Sequence, residues 1–165
     1  MTVDEAARPD FATLWAANYH ALCRLAAVIT GDDRVAEDVV QEAFVRFALN
    51  RWRLRDPEKV LPYLRSTVCN LCRSRARRMR RTPAPVVIRD AASAEDEAVL
   101  NEDEREVLDA LQRLSVRQRE VILLRYWLGL SEAEMGTELR ISRGAVNSHA
   151  ARGLAQLAAL LGERR

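Results

Sequence analysis

Six guanidinium groups crowd nine consecutive residues, Arg73, Arg75, Arg77, Arg78, Arg80 and Arg81, with no acid among them. Cationic density of this kind draws polyphosphate chains, because each phosphate neutralised releases condensed counterions. A second polar set, Arg143, Asn147, Ser148, His149 and Arg152, recurs on one side of a helical pattern whose inward row is Val146, Ala150 and Leu154. Side chains of these types hydrogen-bond to base edges and phosphates when their helix lies in a major groove. A third group, Glu37, Asp38, Gln41 and Glu42, gives one helix an acidic, hydrogen-bonding side suited to a basic partner. Trp52 and Tyr63 precede the arginine run and can stack on unpaired bases. Each set also has a plainer reading: cations favourably placed at a helix C-terminus, a polar hairpin face, or aromatic packing.

The cysteines offer different chemistry. Cys69-Asn70-Leu71-Cys72 is a Cys-x-x-Cys, and His20-x-x-Cys23 has a second metal-ligand spacing. Cysteine is equally a small apolar core residue, and a continuous helix through Asn70 would leave Cys69 and Cys72 out of any knuckle; the reading adopted is no metal and no cofactor. Three cysteines cannot close a disulfide framework, which agrees with a reducing compartment. A Gly-rich phosphate loop and a nucleophile motif are missing, and His20 and His149 lie far apart, so an enzyme is not expected.

The elements that must position these groups read as helices. Of 165 residues, 30% are charged and 48% hydrophobic, with only 6 Gly and 5 Pro, the balance of a helix-rich globular chain. Apolar spacing predicts helices over about 11–29, where Gly31 ends the first, 34–51 after the caps Asp32 and Asp33, and from Pro62 to about Arg81. In the second helix, Val35, Val39, Ala43 and Phe47 form one inward row and Ala36, Val40, Phe44 and Ala48 the next. Further helices are expected from about Ala98 to Leu114, with Val107, Leu108, Leu111 and Leu114 on one face, then over 116–128, 131–139 and 143–161.

The net charge of +2 conceals blocks of alternating sign. Residues 1–50 hold four arginines against eight acids, residues 51–81 eleven cations against two acids, and residues 82–106 two arginines against eight acids. Pro83, Pro85 and the acids Glu95, Asp96 and Glu97 mark residues 82–97 as a flexible linker able to fold over basic surfaces. The expected fold is all-α: two small helical domains, residues 1–81 and 98–165, joined by that linker.

The most informative stretch runs from Leu130 to Leu154. Ser131 and Glu134 make a capping box, Met135 and Leu139 face inward, and Arg140, Ile141 and Ser142 form a turn, with Ser142 capping the next helix. This is the pattern of a helix-turn-helix, with Arg143, Asn147, Ser148, His149 and Arg152 outermost. A dimerisation helix is not expected after it, so an asymmetric DNA site is favoured over a two-fold one.

Three ordered segments carry a resemblance: Ala36-Glu37-Asp38-Val39-Val40-Gln41-Glu42-Ala43-Phe44; Tyr63-Leu64-Arg65 with Val68-Cys69-Asn70 leading into the arginines; and Leu130-Ser131-Glu132-Ala133-Glu134 through Gly144-Ala145-Val146-Asn147-Ser148-His149. They resemble regions 2 and 4 of the extracytoplasmic-function (ECF) sigma factors of the sigma-70 family, and Ser148 to Leu154 is most similar to the SigE-like subgroup. The resemblance implies a specificity subunit that directs core RNA polymerase to promoters and assists DNA melting. Asp38, Gln41 and Glu42 would meet the β′ clamp helices, and the β flap would be a further core contact. Trp52, Tyr63, Asn70, Arg73, Arg75, Arg77 and Arg78 would serve the minus-10 element, where residues 51–61 match the loop that captures a flipped base. Arg125, Arg143, Asn147, Ser148, His149 and Arg152 would serve the minus-35 element, Arg125 at a backbone-contacting position. The family commonly has a basic residue at Asn147 and often at His149, so the minus-35 sequence does not carry over.

The resemblance further implies an anti-sigma partner. The competing reading is a stand-alone helix-turn-helix regulator acting without polymerase; it has no need of Asp38, Gln41 and Glu42 beside a basic melting helix. With no apolar run long enough to cross a membrane and an acidic start from Met1 to Asp10, membrane insertion is not expected and a cytoplasmic location is.

Overall fold

A computed structural model describes residues 10–54, 56–81 and 101–162. The proposed linker, Glu95, Asp96 and Glu97 within it, lies outside these, and the helix forecast from about Ala98 begins instead at Glu102, because Asn101 is its extended N-cap. Every regular element among the described residues is helical: α1 (Phe11–Thr30), α2 (Asp33–Asn50), α3 (Val60–Arg81), α4 (Glu102–Gln112), α5 (Val116–Ile122), α6 (Glu132–Leu139) and α7 (Arg143–Gly162).

Local chemistry sets the boundaries. Asp10 and Asp32 cap α1 and α2 by accepting from Thr13 N and Val35 N. Gly31 closes α1 at φ +74°, a backbone conformation that favours glycine, and a Cβ there would stand 2.6 Å from Gln112 Oε1 and push that side chain aside. Asn101 with Glu104, Ser115 with Gln118 and Ser131 with Glu134 each complete a capping box.

Four further expectations are corrected. Helix α3 starts at Val60, not Pro62: Asp56 caps a short 3-10 turn, Pro57–Lys59, that runs straight into α3. Pro62 then falls in the first turn, where its missing N–H breaks no helical bond. The helix forecast to Leu128 becomes α-helical only to Ile122, followed by a π-helical turn, Leu123–Trp127, in which Leu128 N donates to Leu123 O at 3.1 Å. Ala48 and Val107 are exposed. So is Leu154; Gly153 takes the inward place because α7 crosses so close to α5 that a Cβ at 153 would lie 2.7 Å from Ile122 Cδ1.

Helices α1, α2 and α3 pack around Leu25, Ile29, Val40, Phe44 and Leu64, with Trp15 at 4.7 Å and Phe11 at 5.8 Å from the Phe44 ring. Helices α4 to α7 close over Leu124, Met135, Leu139 and Val146. The two groups touch through α1 and α3 against α4, α5 and α6, and their cores run together. Polar bonds tie this seam. Arg119, 5% exposed, donates to the carbonyls of Leu111 (2.7 Å), Gln112 (2.7 Å) and Leu114 (3.1 Å), and across the seam to Ile29 O. Gln112 Nε2 adds a 2.7 Å bond to Val28 O. One buried guanidinium thereby satisfies orphan carbonyls at the C-terminal ends of α1 and α4 together.

Candidate nucleic-acid interface

The three candidate surfaces differ in how freely they face solvent. On α2, Glu37, Asp38 and Gln41 are exposed and Glu42 is half-buried, opposite the fully covered Val39, Val40, Ala43 and Phe44. Glu42 pairs with Arg46 one turn on (2.6 Å) and with Arg75 of α3 (3.5 Å). Val45 and Leu49 stand exposed on the same helix, and Trp52 follows them at 59% exposure, with the Arg53 guanidinium 4.5 Å above its ring. Trp52 is therefore not a packing residue here. Tyr63 is half-buried against Phe47, ring centroids 6.3 Å apart.

Helix α3 divides its arginines between solvent and protein. Arg77, Arg78, Arg80 and Arg81 are exposed and Arg75 is half-buried. Arg73 turns inward: Nη1 donates to Glu120 Oε2 of α5 at 2.9 Å, and Nη2 to Asn70 Oδ1. Glu120 is fully buried and also accepts from Arg117 Nη1 at 3.1 Å, while its Oε1 meets no donor among the described residues. Burial pushes the Glu120 carboxyl above its usual range, against the opposing pull of Arg73 and Arg117. Further along the seam, Arg65 grips Glu138 of α6 with two bonds, Nε to Oε2 at 3.0 Å and Nη2 to Oε1 at 2.5 Å, and Ser66 Oγ donates to Glu138 O at 2.6 Å. Arg73, forecast as a minus-10 contact, is thus engaged at the seam, while Asn70, forecast with it, accepts from Arg73 on its own helix.

Glu120 and Glu138 were missed at the sequence level, where a signal existed. Each is a lone acid in an apolar row, Val116-Glu120-Leu124 and Met135-Glu138-Leu139. A charge in such a row marks either a bend of the pattern or a buried partner.

The helix-turn-helix carries the third surface. Arg140 closes α6 in the left-handed conformation, φ 54°, and Ser142 Oγ accepts from Ala145 N at 3.1 Å to start α7. Arg143, Asn147, Ser148 and Arg152 are exposed and His149 half-buried, with Val146 and Ala150 beneath. Arg152 Nη2 donates to Ser148 Oγ at 2.7 Å. Arg125 Nη2, from the π-helical turn, donates to Asn147 Oδ1 at 2.9 Å and to Glu132 Oε1 of α6 at 3.1 Å. Burial and nearby Arg152 and Arg117 lower the His149 imidazole below its ordinary value, which favours the neutral ring at pH 7.

Cys69 and Cys72 are buried in α3, and burial raises both thiols, Cys72 to about 12. His20 is exposed and Cys23 half-buried on α1. Among the described residues no group of three or more His, Cys, Asp or Glu is placed to hold a metal ion.

Comparison with known proteins decides between the two readings of these surfaces. The family described as Sigma-70 region 2 matches residues 14–82, and Sigma-70, region 4 matches residues 104–157. The chain belongs to the ECF sigma factors of the sigma-70 family. It is 30% identical over 162 residues to RNA polymerase sigma factor CarQ of Myxococcus xanthus, covering 96% of this chain and 93% of that one. It is 31% identical over 156 residues to ECF RNA polymerase sigma factor SigM of Mycobacterium tuberculosis, covering 94% of this chain and 79% of the relative. Among solved structures, CnrH in complex with the cytosolic domain of CnrY matches with a TM-score of 0.66 at 26% identity, over 98% of this chain and 95% of that one. A stand-alone regulator would account for the region 4 match alone; the region 2 match over α1 to α3 makes this sigma factor an RNA polymerase subunit.

Proposed function

We propose that this sigma factor docks core polymerase on the polar side of α2, through Asp38, Gln41 and Glu42, and reads a promoter with two separate surfaces. Trp52, Tyr63, Asn70, Arg73, Arg75, Arg77 and Arg78 serve the minus-10 element and its melting; Arg125, Arg143, Asn147, Ser148, His149 and Arg152 serve the minus-35 element. The observation that carries this reading is the conjunction, on one chain, of an acid-faced α2, an arginine-rich α3 beside it and a helix-turn-helix with its polar face outward. The working division is residues 1–81 for core and minus-10 binding, 82–97 as linker and 98–165 for the minus-35 element.

The subunit is non-catalytic in this reading: its surfaces bind and orient rather than react. With α3 packed on α5 Arg73 is held by Glu120, so a DNA phosphate that uses Arg73 must displace that carboxylate. An anti-sigma partner fits the same chain, supported by CnrH, which was solved with a bound protein domain. Cytoplasmic action is part of the proposal, and no helix among the described residues is long and apolar enough to cross a membrane.

The test is run-off transcription on a promoter library. Start-site selection with σ-free core polymerase plus this chain, and none with either alone, is the expected result. Sequence-specific DNA binding by the free chain with no effect on polymerase would overturn it.

A further inference from the structure

Arg125 sits where three elements of the helix-turn-helix meet, the π-helical turn, the start of α6 and the first turns of α7. A π-helical turn in a helix is often a functional distortion, and this one holds Arg125 against the outer face of α7. Its Nη2 carries two hydrogens and has two acceptors, Glu132 Oε1 at 3.1 Å and Asn147 Oδ1 at 2.9 Å. A guanidinium only donates, so the amide of Asn147 has one orientation beside it: oxygen toward Arg125, NH2 away.

We propose that Arg125 is a positioning residue for base reading, turning the Asn147 oxygen inward so that Asn147 meets the minus-35 element through its Nδ2 donors and selects guanine over adenine. This rests on the reading that α7 enters the major groove. An unrestrained asparagine reads adenine with both ends of its amide, accepting from N6 and donating to N7. That pairing requires the oxygen on the groove side, where Arg125 does not leave it. The base edge that offers two adjacent acceptors to a donor is guanine, through O6 and N7; thymine offers O4 alone, and cytosine presents a donor. The bond uses only Nη2, so a phosphate contact through the other nitrogens of Arg125 is compatible with it. Glu132, next to the Ser131 cap, is a second anchor for the guanidinium.

The experiment uses holoenzyme assembled from the full chain and σ-free core, with a promoter library randomised across the minus-35 element and transcripts counted by sequencing. Asn147→Ala should erase base preference at one position, and there the wild type should favour guanine over adenine about tenfold. Arg125→Met should shift that position toward adenine and leave preferences elsewhere as they were, while Arg125→Lys, which still donates, keeps guanine. Should Arg125→Met fail to fold, Asn147→Asp, at an exposed position, reads the same geometry: its carboxylate keeps Arg125 and presents an acceptor, moving preference to cytosine. The inference is overturned if Asn147→Ala changes no position, if the wild type favours adenine there, if Asn147→Asp gains no cytosine preference, or if folded Arg125→Met weakens all promoters evenly. A wild-type holoenzyme that initiates nowhere in the library would instead refute the sigma reading, and this inference with it.

Discussion

Arg73→Met tests the seam at its most charged point. Arg73 is 11% exposed and its Nη1 lies 2.9 Å from the oxygen of a carboxylate that is 0% exposed. With charge centres about 4 Å apart and an effective dielectric constant of about 20, the lost attraction is about 4 kcal/mol. Arg117, at 3.1 Å from the same oxygen and 24% exposed, remains and offsets part of it. The expected loss is therefore about 3 kcal/mol at pH 7, in the range for a buried pair robbed of one partner.

Glu120→Gln should cost much less. Burial disfavours the charged Glu120 carboxyl, so a neutral amide of the same shape removes a desolvation cost along with the two ion pairs. The pH dependence follows the same sign. A carboxyl raised in the folded state contributes stability that is present below its unfolded value and disappears as pH rises through the folded one. Removing Arg73 withdraws the largest influence that opposes burial, so the Arg73→Met deficit should be greatest near neutral pH and shrink on acidification. Urea denaturation of the two single variants and the double, at pH 7 and pH 5, reads all of this as a double-mutant cycle. A coupling energy below about 0.5 kcal/mol, or a deficit that does not change with pH, would refute the buried pair as drawn.

Three further outcomes are expected. Replacing Arg75, Arg77 and Arg78 by Ala should weaken promoter binding by the holoenzyme and flatten its log–log salt slope by about 0.9 for each phosphate that is no longer neutralised; an unchanged slope in a filter-binding titration means these arginines do not meet phosphate. Arg140→Gly should raise stability by about 1 kcal/mol, since φ 54° strains any residue with a Cβ and the side chain is exposed, and a lower midpoint in thermal melts would contradict that account. Gly153→Ala should be destabilising despite the better helix propensity of alanine: the new Cβ meets Ile122 Cδ1 at 2.7 Å and Gln118 Cβ at 3.3 Å, and overpacking of this kind costs about 1–3 kcal/mol. Thermal melts of that variant check the sign, and an unchanged or higher midpoint would mean that α5 and α7 can move apart without cost.

Where local chemistry decided an element, the sequence was enough to place it. The cap at Asp32, the glycine stop at Gly31 and the Ser131/Glu134 box each fix a helix end through bonds within four residues, and those ends stand where spacing put them. The misplaced features depend on contacts from far along the chain. Leu154 belongs to the inward row by periodicity, yet α7 approaches α5 so closely that only Gly153 fits, and the row shifts by one residue. The π-helical turn after Ile122 has no single-residue signature; it goes with Leu128 and Leu130 donating back to the carbonyls of Leu123 and Leu124 within the turn, at 3.1 and 2.9 Å. The candidate surfaces were legible as polar sides of helices, but not which of their members are already occupied. Arg73 and Arg78 look alike in sequence, and only the seam tells the inward one from the exposed one.

That distinction bears on how the basic helix is used. A guanidinium that is satisfied by a buried carboxylate contributes nothing to a phosphate until the carboxylate is left behind, and a carboxylate as buried as Glu120 is expensive to leave charged and dry. Separation of α3 from α5 returns both groups to water, where Glu120 recovers its hydration and Arg73 is free for a phosphate. Arg65 and Glu138 must part in the same movement, since they span the same seam with two bonds and little exposure. On the proposed minus-10 reading, the exposed Arg77, Arg78, Arg80 and Arg81 need no such release and would meet DNA with the seam closed, whereas Arg73, held by Glu120, would join only with the seam open. A phosphate contact made in two stages predicts a salt slope that is smaller for the free chain than for the holoenzyme, and equal slopes would mean that α3 offers the same cations in both.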